Sequence, residues 1–326
     1  MEAVKKAGAV TEDTKKKPKA IFKKKFYVDH GGNILCHIVL IGIIFLILFP
    51  FIQKISTMFL SYEDLSDTTV QYIPKHFSLY TVITTMGIMD YWRTLLRTLI
   101  LCVITAVLQT LSCTLTAYGL ARFKFVGRGL VFGCVIMILL IPPQVVMASL
   151  YMNFAHVNPL GLVSLFGGGR IDISNGILPF IILSATAVAF KNSLYIYMLR
   201  QFFRGLPTEI EEAGMIDGSS HLGIFVRLML PNAVPMMVTI ILFAFSWQWT
   251  DNYYSQLFLG HSDYTVITNA LISLRAYGVN IASFTTVFRN AIIDTGIVLS
   301  ILPLVIVYIF GQRFFVQGVS QSGIVG

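Results

Sequence analysis

The sequence predicts an all-α integral membrane protein with six transmembrane helices, and three observations lead there. Of its 326 residues, 56% are hydrophobic and only 12% are charged, where soluble domains carry roughly 25% charged residues. The apolar residues fall into six long runs. A span needs about 20 of them to cross roughly 30 Å of hydrocarbon, and only helices satisfy their own backbone there without a closed barrel. The basic residues are asymmetric between the loops that these runs define.

The six runs lie at 34–52, 95–118, 130–148, 177–197, 233–250 and 290–310. With the N-terminus inside, sixteen Lys and Arg residues fall on the cytoplasmic side and six outside, so the positive-inside rule predicts both termini in the cytoplasm. Nine of the sixteen are lysines before position 26. Without them the balance is seven to six, so this tail decides the orientation. The tail also supplies most of the net charge of +8. A solvated lysine-rich end beside anionic lipid leaves no basic face for a nucleic acid. The division expected is a cytoplasmic tail at 1–30, unstructured to about Ala20, and a transmembrane domain at 31–326. The run at 34 starts too late for a cleaved signal peptide.

Each run has its own punctuation. The first ends near Phe51, and 53–94 is an outer segment with scattered acids, in which Trp92 suits an interfacial anchor. Pro142 and Pro143 bend or end the third run, because proline removes an N–H and its ring clashes with the preceding turn. The fourth holds Lys191 and Asn192 at membrane depth. A charge there faces a water-filled path or a partner, or its stem snorkels to the interface. The fifth ends in Trp247, Gln248, Trp249, Thr250 and Asp251. Aromatics beside an amide and a carboxylate suit a sugar, whose C–H face stacks while its hydroxyls bond; an aromatic belt at the outer interface explains the same residues. Both readings stay open at both places. Asp294, in the sixth run, is shallow enough to reach water.

Catalytic motifs do not appear. Gly167, Gly168, Gly169 and Arg170 lack the Lys-Ser/Thr that completes a phosphate-binding loop, and the six histidines are scattered without ligand spacing. The four cysteines, in or beside the runs, read as small hydrophobes.

The stretch from Leu206 to Pro235 is a polar island between runs four and five. Pro207 breaks the preceding span, and Thr208 with Glu211 fits a capping box. Ile210, Ala213 and Ile216 fall on one face, and Gly218 supplies a stop. A second short helix follows from Ser220, with Ile224, Phe225, Leu228 and Met229 as its apolar face, and ends at Pro231. The expected product is a helix–turn–helix outside the bilayer, amphipathic enough to dock in a groove of another protein.

Within it, Glu212-Ala213-Gly214, Asp217-Gly218 and Leu230-Pro231 resemble the EAA loop of permease subunits of bacterial ATP-binding-cassette importers. Ala117-Tyr118-Gly119-Leu120-Ala121-Arg122 resembles that family's A-Y-x-x-A-R run, whose arginine also reads as an inner topogenic charge. Ile73 to Leu79 and the stretch Gln312 to Ser320 resemble the maltose-type carbohydrate uptake subfamily. The resemblance implies the type I importer permease fold with a cytoplasmic coupling helix at 206–232. It implies Glu211, Glu212, Ala213, Gly214, Asp217, Gly218 and Pro231 as contacts to a separate ATPase. The pathway candidates are Lys191 and Asn192, from their membrane depth, and Trp247, Trp249 and Asp251, whose cluster resembles an aromatic W-N-D/E-like cluster of that family. The resemblance further implies a second permease subunit, two ATPase subunits that bind the ATP and magnesium, an extracytoplasmic solute-binding protein, a sugar as substrate, and a bacterial plasma membrane. No cofactor or metal of its own is implied. Two departures stand out. Gly214 replaces the usual alanine, which lowers helix propensity by up to about 1 kcal/mol and would loosen ATPase contact, and Val325 replaces the usual lysine of the tail. An ion-gradient-driven transporter would call instead for inverted repeats and several intramembrane carboxylates, and neither is evident.

Overall fold

A computed structural model describes residues 19–157, 171–189, 191–280 and 285–323. Within them the chain is helical, with two isolated β-bridges, Leu60 to Phe77 and Val157 to Ile171, and no extended strand. It divides into two compact units, Met1–Ser56 and Thr57–Gly326.

The first unit holds most of helix α1, Lys19–Met58. The helix outruns the predicted span at both ends, since nothing between Phe51 and Met58 breaks it. Its Cys36–Met58 part is long and apolar enough to cross a membrane. The expected unstructured tail lies mostly outside the described residues.

In the second unit, short helices α2 (Tyr62–Ser66) and α3 (Tyr80–Ile88) fill the predicted outer segment. Then comes α4, Tyr91–Arg122, the hub of the bundle. It is threonine-rich yet buried on one side, which is tolerable because the hydroxyls bond within the helix. Thr98 donates to the Thr94 carbonyl at 2.7 Å, Thr105 to Leu101 at 2.7 Å, Thr110 to Ala106 at 2.8 Å and Thr114 to Thr110 at 2.6 Å. No threonine hydroxyl of α4 is left unpaired in an apolar surround. Tyr91 closes the N-terminal end of α4 by donating to the Leu299 carbonyl at 3.0 Å.

The third predicted span is two helices, α5 (Arg128–Leu140) and α6 (Pro143–Ala155), bent by 107°. The prolines at 142 and 143 produce the bend where expected. The fourth is also two, α7 (Leu178–Ala185) and α8 (Asn192–Gly205). This corrects the expected continuous helix over 177–197. Ala187 (φ 59°) and Lys191 (φ 72°) take left-handed conformations in the break, which cost non-glycine residues of order 1–3 kcal/mol and persist only when packing enforces them.

Next come α9 (Glu209–Ile216) and α10 (His221–Trp249), then α11 (Tyr253–Leu259), α12 (Ile267–Asn280) and α13 (Thr286–Gly323). α11 and α12 give the predicted last outer loop regular structure. The Asn158–Gly161 and Gly167–Arg170 motifs lie outside the described residues. The central core is formed by α4, α8, α10, α12 and α13 around Tyr195, Leu199, Phe203, Met229, Met236 and Ile240.

Among the described residues, four helices are long and apolar enough to span a membrane: Cys36–Met58, Tyr91–Arg122, His221–Trp249 and Thr286–Gln312. The bent α5–α6 pair makes a fifth if it counts as one span. The break at 186–191 keeps the predicted fourth run out of that set.

Candidate coupling hairpin and transmembrane cleft

The polar island forms the expected hairpin, held by different bonds than its sequence suggests. Thr208 does not form the capping box. It is itself in the right-handed helical region (φ −71°, ψ −25°) and its side chain makes no cap bond. Its carbonyl accepts from Glu211 N at 3.0 Å and Glu212 N at 3.1 Å. The stop at Gly218 does form (φ +77°). Gly218 N donates to Met215 O and Ser219 N to Gly214 O, both at 3.0 Å, the paired bonds of a Schellman motif. Ser220 then caps the second arm, accepting from Gly223 N at 3.2 Å.

That second arm does not stop at Pro231. His221–Ile224 runs into a π-helical turn, Phe225–Met229, and on into Leu230–Trp249 without interruption. Leu230 N donates to Phe225 O, five residues back. The wider turn makes room for the Pro231 ring where a regular turn would drive it into the carbonyl four residues earlier. Asn232 Nδ2 donates to the Leu228 carbonyl at 2.7 Å, pairing one acceptor in that turn. The hairpin is therefore rigidly continuous with the membrane-spanning part of α10.

Its two faces differ from the expected pattern. Gly214 is buried and Ile210 packs on the core, an i, i+4 pair, while Ala213 and Ile216 point outward. Ile216 is 86% exposed and Leu222 68%. With Glu212, Met215 and Asp217 they form a mixed acidic and apolar tip. Gly214 itself faces this chain: a Cβ there would lie 2.9 Å from Leu228 Cδ1 and 3.0 Å from Ile224 Cγ1. The missing methyl permits the close approach of the two arms.

The A-Y-x-x-A-R run bolts the hairpin to α4. The Tyr118 ring lies 4.7 Å from that of Phe225 and 5.5 Å from that of Phe203. Arg122 Nη2 donates to the Leu206 carbonyl at 2.7 Å, and its Nε stands 3.6 Å from Glu211 Oε1. Glu211 is thus turned inward while Glu212 faces out.

The pathway candidates partly converge. A narrow cleft between α4, α7, α10 and α11 is lined by Gln109, Ser184, Trp247, Gln248, Asp251 and Tyr254, among others. At its rim the Lys191 ammonium sits 4.4 Å from the Trp247 ring centroid, a cation–π contact. Asp251 uses its carboxylate to cap α11, accepting from Ser255 N at 2.8 Å, Ser255 Oγ at 3.0 Å and Tyr254 N at 3.3 Å. Asn192 is 1% exposed at the break, with both side-chain polar atoms unpartnered. Trp249 is not on the cleft. It is 3% exposed, donates its indole N–H to the Ser300 carbonyl at 3.0 Å, and stacks on Phe245; it packs the bundle. Sequence reasoning missed Gln109, and it read Gln248 only as the amide of the aromatic cluster. An amide in the middle of run two was the available signal.

Residues 113–321 match the family described as binding-protein-dependent transport system inner membrane component. The arabinooligosaccharides transport system permease protein AraQ of Bacillus subtilis is 27% identical over 238 residues, 72% of this chain and 74% of that protein. The osmoprotective compounds uptake permease protein GgtD of Synechocystis sp. is 30% identical over 231 residues, 70% of this chain and 69% of its own length. In fold, the chain resembles part of a bacterial ABC transporter involved in the import of the acidic polysaccharide alginate, with a TM-score of 0.69 and 19% identity over 88% of this chain and 98% of that one. The chain belongs to the binding-protein-dependent transport system inner membrane component family.

Proposed function

We propose that this permease forms half of the translocation pathway of an ATP-driven carbohydrate importer in a bacterial plasma membrane, with six spans, counting α5–α6 and α7–α8 as one broken span each, and both termini in the cytoplasm. A second permease subunit supplies the other half, two ATPase subunits hold ATP and magnesium, and an extracytoplasmic binding protein delivers the sugar. The observation that carries the reading is the hairpin from Thr208 to Met229. It is capped at both arms, continuous with a membrane-spanning helix, and ends in an exposed tip that mixes Glu212 and Asp217 with Met215, Ile216 and Leu222. A stiff amphipathic tip suits a groove on a partner. Sugar as substrate class is supported by the names of relatives, which include an arabinooligosaccharide and an alpha-glucoside permease. The aromatic and amide lining of the cleft fits the same class.

The test is reconstitution of the full complex in vesicles, with labelled arabinotriose and maltotriose as probes. ATP-dependent uptake that requires the binding protein, and is lost in Glu212→Arg, is the expected result. Uptake driven by a proton or sodium gradient without the ATPase subunits would overturn the proposal.

A further inference from the structure

We infer that Arg122 is the positioning residue that sets the angle of the hairpin on α4, and thereby couples movement of the hairpin to the pathway helix. The inference rests on the coupling role proposed above. Arg122 is the last helical residue of α4, since Phe123 turns to an extended conformation (ψ 137°). Its guanidinium folds back onto two points of the hairpin region at once. One is the carbonyl of Leu206, the extended residue at which α8 ends and the hairpin begins, at 2.7 Å. The other is Glu211, in the first turn of α9, at 3.6 Å. A single side chain therefore joins the end of α4, the C-terminal end of α8 and the hairpin.

The pair is secluded. The Arg122 and Glu211 side chains are 8% and 13% exposed, so water and salt screen them weakly. Arg122 Nε and Glu211 Oε1 have no hydrogen-bond partner, so at these two atoms the mutual attraction offsets burial, beside the bond from Arg122 Nη2 to the Leu206 carbonyl. At 3.6 Å this is a charge–charge contact and not a hydrogen bond. Coulomb attraction falls off slowly with distance, so the strut holds through small rotations that would break a directional bond.

The rest of the bundle does not depend on this pair. Arg200 fastens α8 to the same end of α4 separately, donating from Nε to the Leu120 carbonyl at 3.2 Å and lying 3.7 Å over the Phe132 ring of α5. Tyr118 packs beneath through aromatic contacts. What Arg122 adds is a fixed relation between the hairpin and α4. Gln109, at the cleft, lies thirteen residues back on the same helix, about 20 Å away at 1.5 Å per residue. An unbroken helix carries a displacement of one end to the other.

The test uses the assembled complex with Cys36→Ser and Cys134→Ser, and spin labels at Glu209→Cys and Val126→Cys. Removing both charges together, as Arg122→Met with Glu211→Met, leaves no lone buried ion and so spares the fold. The expected result is a label-to-label distance distribution at least twofold broader, with stimulation of ATP hydrolysis by the binding protein reduced at least fivefold. An unchanged distribution and unchanged stimulation would overturn the inference. If the double variant fails to assemble, Arg122→Lys, which keeps the charge but loses the second donor to Leu206, is read by the same two measurements. Absence of any stimulation in the wild-type complex would instead defeat the proposed function, and the distance measurement would still decide the strut.

Discussion

Gly214 and Leu228 meet across the hairpin so closely that a Cβ at 214 would stand 2.9 Å from Leu228 Cδ1. Two effects of Gly214→Ala therefore compete. Alanine raises helix propensity by about 1 kcal/mol, while crowding a packed contact costs about 1–3 kcal/mol. Leu228 can swing its flexible end aside, but Ile224 Cγ1, at 3.0 Å, belongs to a fully buried β-branched side chain. Crowding wins by a small margin. Gly214→Ala should lower stability by about 1 kcal/mol or less, Gly214→Val by clearly more, and Gly214→Ala made in a Leu228→Ala background should cost less than it does in the wild type, because one of the two crowded contacts is gone. Thermal unfolding of the purified chain in detergent reads all three. Equal stability of the Ala and Val variants would show that the arms are not in contact.

The two helix starts of the hairpin make opposite predictions from similar sequences. Thr208 has no cap bond to lose, so Thr208→Ala should change stability by less than about 0.5 kcal/mol. Ser220 accepts from Gly223 N, and Ser220→Ala should cost about 1 kcal/mol. Hydrogen exchange at the Gly223 amide gives a local reading. It should accelerate in the serine variant and stay unchanged in the threonine variant.

Most of the architecture was legible because it follows from the bilayer. Apolar run length located four of the six expected spans as continuous helices, the double proline located the bend of α5 on α6, and Gly218 located the turn of the hairpin. The misses share one cause. The break at 186–191 carries no glycine or proline, and the inward turn of Glu211 depends on Arg122, 89 positions earlier in the chain. Pro231 failed as a stop because five residues before it adopt a π turn, and no local propensity announces that. Long-range packing decided each of these cases, and periodicity reads only neighbours. Gln109 was legible as an intramembrane amide; its company at the cleft was not.

The paired tryptophans of α10 separate packing from pathway. Trp249 gives its indole N–H to the Ser300 carbonyl in a buried site, so Trp249→Phe loses that bond and part of a buried ring and should cost about 1–3 kcal/mol. Trp247, 44% exposed, offers its ring face to Lys191. Phenylalanine keeps that face, and Trp247→Phe should cost less than about 1 kcal/mol. Thermal unfolding of the two variants should rank them in that order, and the reverse order would move Trp247 into the core.

The loop between α2 and α3 should loosen in acid, and two carboxylates fix the sign. Asp64 accepts from His76 N at 2.8 Å and contacts His76 Nδ1 at 2.9 Å. The backbone hydrogen bond from His76 is the main cause that holds its carboxyl below the usual 3.8. Asp67, bonded by Lys75 at 2.7 Å and by Thr69, is held lower still. A folded-state pKa below the unfolded one means that the unfolded loop binds protons first as pH falls. The bonds therefore contribute in full above about pH 4, and that contribution is lost as the pH drops through the folded values. Exchange at the His76 amide should be slow and well protected at pH 7 and 5, then lose protection below pH 3.8. In Asp64→Asn the protection should be weaker at every pH, and its fall in acid shallower. A wild-type loop whose protection first fell between pH 7 and 5, and did not change below 4, would assign the control of this loop to a group other than these carboxylates.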